Sequence, residues 1–238
     1  MATKKAKTKA VTPTAEHLPA DFGLAEQIAK DLKALSDQVG GASVMQIRMS
    51  GKGFTTPDGE TADSIRGIIV DFASANMHYP GVFDKDKPTP PNCFALNKII
   101  DQMAPHPSSP EPQAETCAEC PKNKFESGVG KSKACKNTRK LALIQENATE
   151  ESPIWILTVP PKSLRYFDTY VSSTLSGRHG VTPICAVTQI TMDPRDDYAA
   201  PRFSFERLLE EPELVKAYGR RAEAEALLMQ PPRLNQGV

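Results

Sequence analysis

Six stretches carry an apolar pattern that predicts strands. In VMQIRM, Met45, Ile47 and Met49 alternate with Gln46 and Arg48, as on a half-buried strand. IRGIIVDF (65–72), LALIQE (141–146) and PIWILTV (153–159) are nearly continuous apolar runs, and PICAVTQITM (183–192) and the short RFSFE (202–206) complete the strand set. PDGE at 57–60 reads as a turn. Helical spacing appears three times. Leu24, Ile28, Leu32 and Leu35 predict an amphipathic helix capped by Asp21 and stopped at Gly40 and Gly41. Leu164, Phe167, Val171 and Leu175 share a face of a second, capped by Ser163 and ended by Gly177. Residues 210–232 form a third, with Pro212 near its first turn and Pro231 as its stop.

The order is strand, strand, a cysteine-bearing insertion, two strands, helix, strand, strand. That predicts an α+β, mainly β fold: an OB-fold-like five-stranded barrel with an inserted four-cysteine zinc subdomain and flanking helices. The expected organisation is a disordered basic arm at 1–18, a core domain at 19–210 with the zinc insertion at 91–140, and a C-terminal helix and tail at 211–238. NMHYPGVFDKDKPTPP is read as chain leaving the core, which puts Tyr79 and Phe83 in a loop.

Composition narrows the class. The chain has 238 residues, 39% of them hydrophobic, and a net charge of zero. No apolar run approaches the roughly 20 residues of a membrane span, so no membrane partner is expected. The opening MATKKAKTKA carries no apolar leader, and with the cysteine usage this predicts a reducing, cytoplasmic location. Twenty-one prolines concentrate in connections, notably 80–91 and 105–112.

Charge and cysteine coincide in one stretch. Cys93, Cys117, Cys120 and Cys135 fall between 93 and 140, with the C-x-x-C pair followed by Pro121. A C-x-x-C turn aims two thiolates at one point, and two more from flanking segments complete a tetrahedral sulfur site suited to zinc. His106 is the alternative to Cys93 as a ligand, and Cys185, inside ICAV, reads as a small buried side chain. From Cys117 to Lys140 there are seven basic residues against two acidic, a net of +5. Such asymmetry in a neutral chain predicts a polyanion-binding face. GVGKS resembles a phosphate-binding loop, but Phe125 stands where G-x-x-x-x-G-K-[ST] requires glycine. The scattered histidines, His17, His78, His106 and His179, form no catalytic set. Four thiolates also leave zinc no open position, so no enzyme and no small-molecule substrate are expected.

The series GIIVDF, PNCFA, CAECPKNKFESG, GKSKACKNTRKLALI and PPKSLRYFDTY resembles phage and prophage zinc-containing single-stranded-DNA-binding proteins, over residues 65 to about 205. In plan it is similar to the helix-destabilising proteins of T-even phages, which hang a zinc subdomain on an OB barrel and use a histidine among their ligands. The resemblance implies sequence-tolerant binding of single-stranded DNA in phage-type replication or recombination, with replication or recombination proteins as partners and the host cytoplasm as location. One departure is the ending PPRLNQGV, which lacks the acidic tip common in such proteins; LLEEPE at 208–213 is internal.

Single-strand binding needs bases stacked on aromatic faces and cations along the phosphates. The candidates to stack are Tyr79, Phe83 and Phe125, then Tyr166, Tyr170 and Trp155, the last of which is expected in the core. For phosphates they are Lys52, Lys122, Lys124, Lys131, Lys133, Lys136, Arg139 and Arg165. Two other readings fit the same cysteines: a zinc-ribbon adaptor for a protein partner, and an RNA-binding protein.

Overall fold

The continuous apolar runs have a simple cause: their strands are buried on both faces. A computed structural model describes residues 45–50, 53–81, 89–149, 152–193 and 198–232, all within one unit, Val44–Val238. The basic arm at 1–18, the helix expected from Asp21 to Gly41, Lys52 and Phe83 lie outside the described residues.

Among the described residues nine strands make one mainly antiparallel sheet: β1 (Met45–Ser50), β2 (Gly53–Thr55), β3 (Thr61–Ala62), β4 (Ser64–His78), β5 (Cys93–Asn97), β6 (Lys136–Gln145), β7 (Trp155–Val159), β8 (Ala186–Met192) and β9 (Pro201–Leu208). Their order is β3-β2-β1-β7-β6-β4-β8-β9, with β5 paired to β4 as well. Among the described residues only β1 and β7 run parallel. The sheet curls but stays open: among the described residues β3 and β9 are its ends. Among the described residues nine strands in a curled open sheet thus stand where an OB-fold-like barrel of five was expected, within the mainly β class. The added short strands β2 and β3 flank the PDGE turn, where Gly59 takes φ +88°.

Alternate residues of the runs go to opposite faces. Ile69, Leu141, Leu143, Trp155, Leu157 and Ile190 build one core under α1 (Leu164–Thr169) and the π-helical turns Tyr170–His179 that continue it. Phe167 packs edge-on against Phe72 and Phe203, with centroids 5.1 and 5.2 Å apart. The wider winding continues past Gly177 to Gly180, whose φ of +67° ends it. On the other face Ile68, Val70, Ala142, Ile144, Ile156 and Val187 meet Ala217 of α2 (Glu211–Gly219) and Ala224 and Leu228 of α3 (Arg221–Leu228). The single helix expected at 210–232 is therefore two, broken at Arg220 (φ −88°, ψ 0°), whose guanidinium donates to the Ser152 carbonyl at 2.9 Å. No helix among the described residues is long and apolar enough to cross a membrane.

β4 runs six residues past its expected end, and this matters most for the site. Its last six residues, Ala73 to His78, pair with β6 on one side as far as Met77 and, from Ser74, with β5 on the other. The small or polar residues Ser74 and Asn76 are buried there because Arg139 and Asn137 donate to their side-chain oxygens. β6 likewise begins at Lys136, directly after Cys135.

Candidate functional site

The extended ends of β4 and β6 form the floor on which the cysteines gather. Cys93 is the first residue of β5 and is paired with His78 across the ladder, while Ala95 is paired with Asn76. Directly opposed residues share a face, so Asn76, His78, Cys93 and Ala95 together line one small cavity. Cys117 and Cys120 lie above it on a turn leading into the 3-10 helix Pro121–Asn123, and Cys135 closes it from the foot of β6. All four cysteines are free thiols, three of them buried.

Backbone hydrogen bonds hold the turn over the floor. Cys117 N donates to the Met103 carbonyl at 2.9 Å, Asn123 N to Cys120 at 3.0 Å, and Cys135 N to Lys122 at 2.8 Å. Three asparagines brace it from the side. Asn137 Nδ2 donates to Asn76 Oδ1 at 2.6 Å and to Asn123 Oδ1 at 2.9 Å, and Asn123 Nδ2 donates to the Cys117 carbonyl at 2.8 Å.

Burial pushes the Cys135 thiol up to about 12, and the charges of Cys117, Cys120 and Cys93 push in the same direction. Cys117 is raised by burial, against the hydrogen bond from Asn76. Thiols close enough to raise one another's pKa would have that repulsion relieved by a shared cation. Four cysteine sulfurs lining one cavity are the donor type of a structural zinc site. Among the described residues no three histidine, cysteine or carboxylate side chains are already spaced to hold a metal ion.

His106 lies away from the cavity wall. It stacks on Phe94 at 5.1 Å, and its Nδ1 accepts the Ser108 N–H at 3.1 Å. The histidine in the wall is His78, whose Nδ1 pairs with Asn92 Oδ1 at 2.8 Å. Asn92 in turn donates to Glu111 at 2.7 Å. His78 and the bracing Asn76 escape a sequence reading that takes this segment as loop; their two-residue spacing, shared with Ser74, is the strand signal that marks them.

Beyond the cavity the loop projects outward. Phe125 is 75% exposed and Val129 89%. Lys122, Lys124, Lys131 and Lys136 are exposed in the same segment, and Lys133 Nζ stands 5.1 Å from the centroid of the Phe125 ring. Lys133 also donates to Asn137 at 3.0 Å and to Asn123 at 3.4 Å, which ties the charged surface to the brace beneath it. The GVGKS segment folds back on itself: Gly128 N donates to the Ser132 carbonyl at 2.9 Å, and Ser132 Oγ to Val129 at 2.8 Å. No helix follows it, as a phosphate-binding loop of that type requires.

The other candidates separate clearly. Arg139 is buried, with its guanidinium bonded to Ser74 and, at 2.9 Å, to Asp168, so its charge is spent within the fold. Trp155 and Tyr170 are core residues, the latter bonded to Thr188 Oγ1 at 2.7 Å. Tyr79 is 41% exposed and donates to Met77 Sδ. Arg165 is exposed beside Tyr166. Cys185, expected to be buried, is of intermediate exposure. Comparison with protein-family models, with curated proteins and with solved structures gives no match.

Proposed function

We propose that this protein binds single-stranded DNA with little regard to sequence, through the outer surface of a loop whose four cysteines hold one structural zinc. The observation that carries the reading is Phe125, three-quarters exposed amid exposed lysines on a loop fastened to the sheet. Phe125 keeps an aromatic face open to solvent with the Lys133 ammonium 5.1 Å from its centroid, which places a stacking surface beside a cation. A base supplies a π-face for Phe125 and its phosphates supply charge for the lysines, and stacking of this kind accepts any base.

In this reading Cys93, Cys117, Cys120 and Cys135 are the ligands, and zinc supplies cross-linking of the loop rather than chemistry. Asn76, Asn137 and Asn123 orient the Cys117 turn. Tyr79 and Lys124, Lys131 and Lys136 extend the contact, and no catalytic role falls to any of these residues. The curled sheet, with its one parallel pair and a helix between β7 and β8, supports a distant variation on the OB plan. A role in phage-type replication or recombination in a host cytoplasm rests on the sequence resemblance.

The test is titration at one salt concentration with single-stranded DNA, duplex DNA and RNA. Tighter binding of single-stranded DNA than of duplex supports the reading, and equal affinity for the two reduces it to general polyanion binding. RNA bound as tightly as DNA widens the ligand class, since discrimination needs a 2′-hydroxyl contact. No nucleic-acid binding would favour a zinc-ribbon adaptor.

A further inference from the structure

A second group of cations and aromatic rings gathers at the start of α1, built from three separate segments. β7 is antiparallel to β6, with Val159 opposite Arg139 and Trp155 opposite Leu143. The chain leaving Val159 therefore heads toward the end of β6 that carries Cys135, and there it turns through Pro161–Ser163 into α1. Lys162 and Arg165 are exposed on this turn.

The rings hold these cations in place. The Arg165 guanidinium carbon stands 4.5 Å from the centroid of Tyr166, and that of Arg202, on β9, stands 3.4 Å from the same ring. Lys162 Nζ lies 4.2 Å from the centroid of Tyr198. Arg202 is paired with Asp193 at 3.4 Å and donates to the Ala200 carbonyl at 3.2 Å, so its part is to hold the half-buried Tyr166 ring, and Lys162 and Arg165 are the exposed cations set on the two tyrosines. Gathering like charges is unfavourable, and fixing them on aromatic rings preorganises them for an anion. Guanidinium planes and tyrosine rings are also the surfaces on which unpaired bases stack.

Resting on the function proposed above, we infer that Lys162, Arg165, Tyr166, Tyr198 and Arg202 form a second contact for the same single strand, so that the strand runs from the Phe125 loop across the start of α1. The cysteine loop alone would engage only a short oligonucleotide. The second contact engages the phosphates and bases that follow, and binding strengthens with strand length until both are filled.

The test uses the full chain with Lys162→Ala and Arg165→Ala combined, both exposed positions, and oligothymidylates of about 4 and about 16 nucleotides, the span of site sizes such folds show. The expected result is unchanged affinity for the short strand and weaker binding of the long one. The slope of log affinity against log salt for the long strand should fall in magnitude by about 1.4, or about 0.7 for each phosphate that is no longer neutralised. A parental slope and affinity with the long strand would overturn the second contact. So would equal weakening at both lengths, which makes these residues part of the first contact. If the unaltered protein binds neither strand, the proposed function itself fails, and the second contact with it.

Discussion

Replacing Phe125 by alanine separates the binding role of the loop from its structural role. A buried aromatic side chain removes about 200 Å² from water, but Phe125 is 75% exposed. The quarter that is covered amounts to about 50 Å², or about 1 kcal/mol at about 25 cal/mol per Å². Thermal unfolding should therefore shift little. For binding, one stacked base is worth about 1 to 3 kcal/mol, so single-strand affinity should fall by about 5- to 150-fold. Stacking releases no counterions, so the salt slope should be unchanged. Trp155→Ala is the opposite case: in the core beneath α1 it should cost about 3 to 5 kcal/mol of stability. The assay pairs fluorescence-anisotropy titration over a salt series with calorimetric unfolding of both variants. A folded Phe125→Ala protein that binds a single strand like the parent would refute the stacking role.

Three further outcomes follow from the cavity and the sheet. Metal analysis should give about one zinc per chain, lost in Cys93→Ser and retained in His106→Ala and Cys185→Ser, since His106 is stacked on Phe94 outside the cavity wall; retention in Cys93→Ser would assign the fourth ligand elsewhere, with His78 the next donor to test. Gly128→Ala should weaken single-strand binding without lowering the melting temperature of the sheet, because an added Cβ would stand 2.9 Å from Ala134 N and 2.9 Å from the Lys133 carbonyl carbon, backbone that cannot give way without moving the loop; parental affinity would show that the loop tolerates the shift. Burial pulls the Lys140 ammonium down to about 8 from 10.5, although its Nζ donates to the Leu228 carbonyl at 2.8 Å. Between those pH values the unfolded chain holds a proton that the folded one has lost, so stability rises with pH there. Denaturant titrations should show the parent gaining on Lys140→Met across that window, and a constant difference would contradict it.

The sequence discloses strands where burial is thorough and loses them where polar residues pair with each other. IIVDF, LALI and IWILTV are legible because each alternate residue meets a core. Ser74, Asn76 and His78 read as loop since nothing local reveals that Arg139, Asn137 and Asn92 will satisfy them from 65, 61 and 14 residues away. That loss conceals the floor of the cysteine cavity, although the spacing of the cysteines marks the loop above it. Arg139 reads as a surface cation for the same reason: it stands in a basic run, and its partner Asp168 lies on a helix 29 residues on. The strand count falls short at β2, β3 and β5, where two to five residues carry too little pattern to count.

The central claim is that a metal-fastened cysteine loop presents the single-strand surface, and stripping the metal tests it most directly. The protein is treated with chelator, and its affinity for single-stranded DNA is measured before treatment, after it, and after zinc is restored, with circular dichroism recorded at each stage. The account predicts that the sheet signal persists, that single-strand affinity falls by at least the stacking contribution of Phe125, and that zinc restores it. Undiminished single-strand binding by a fully metal-free protein would contradict it.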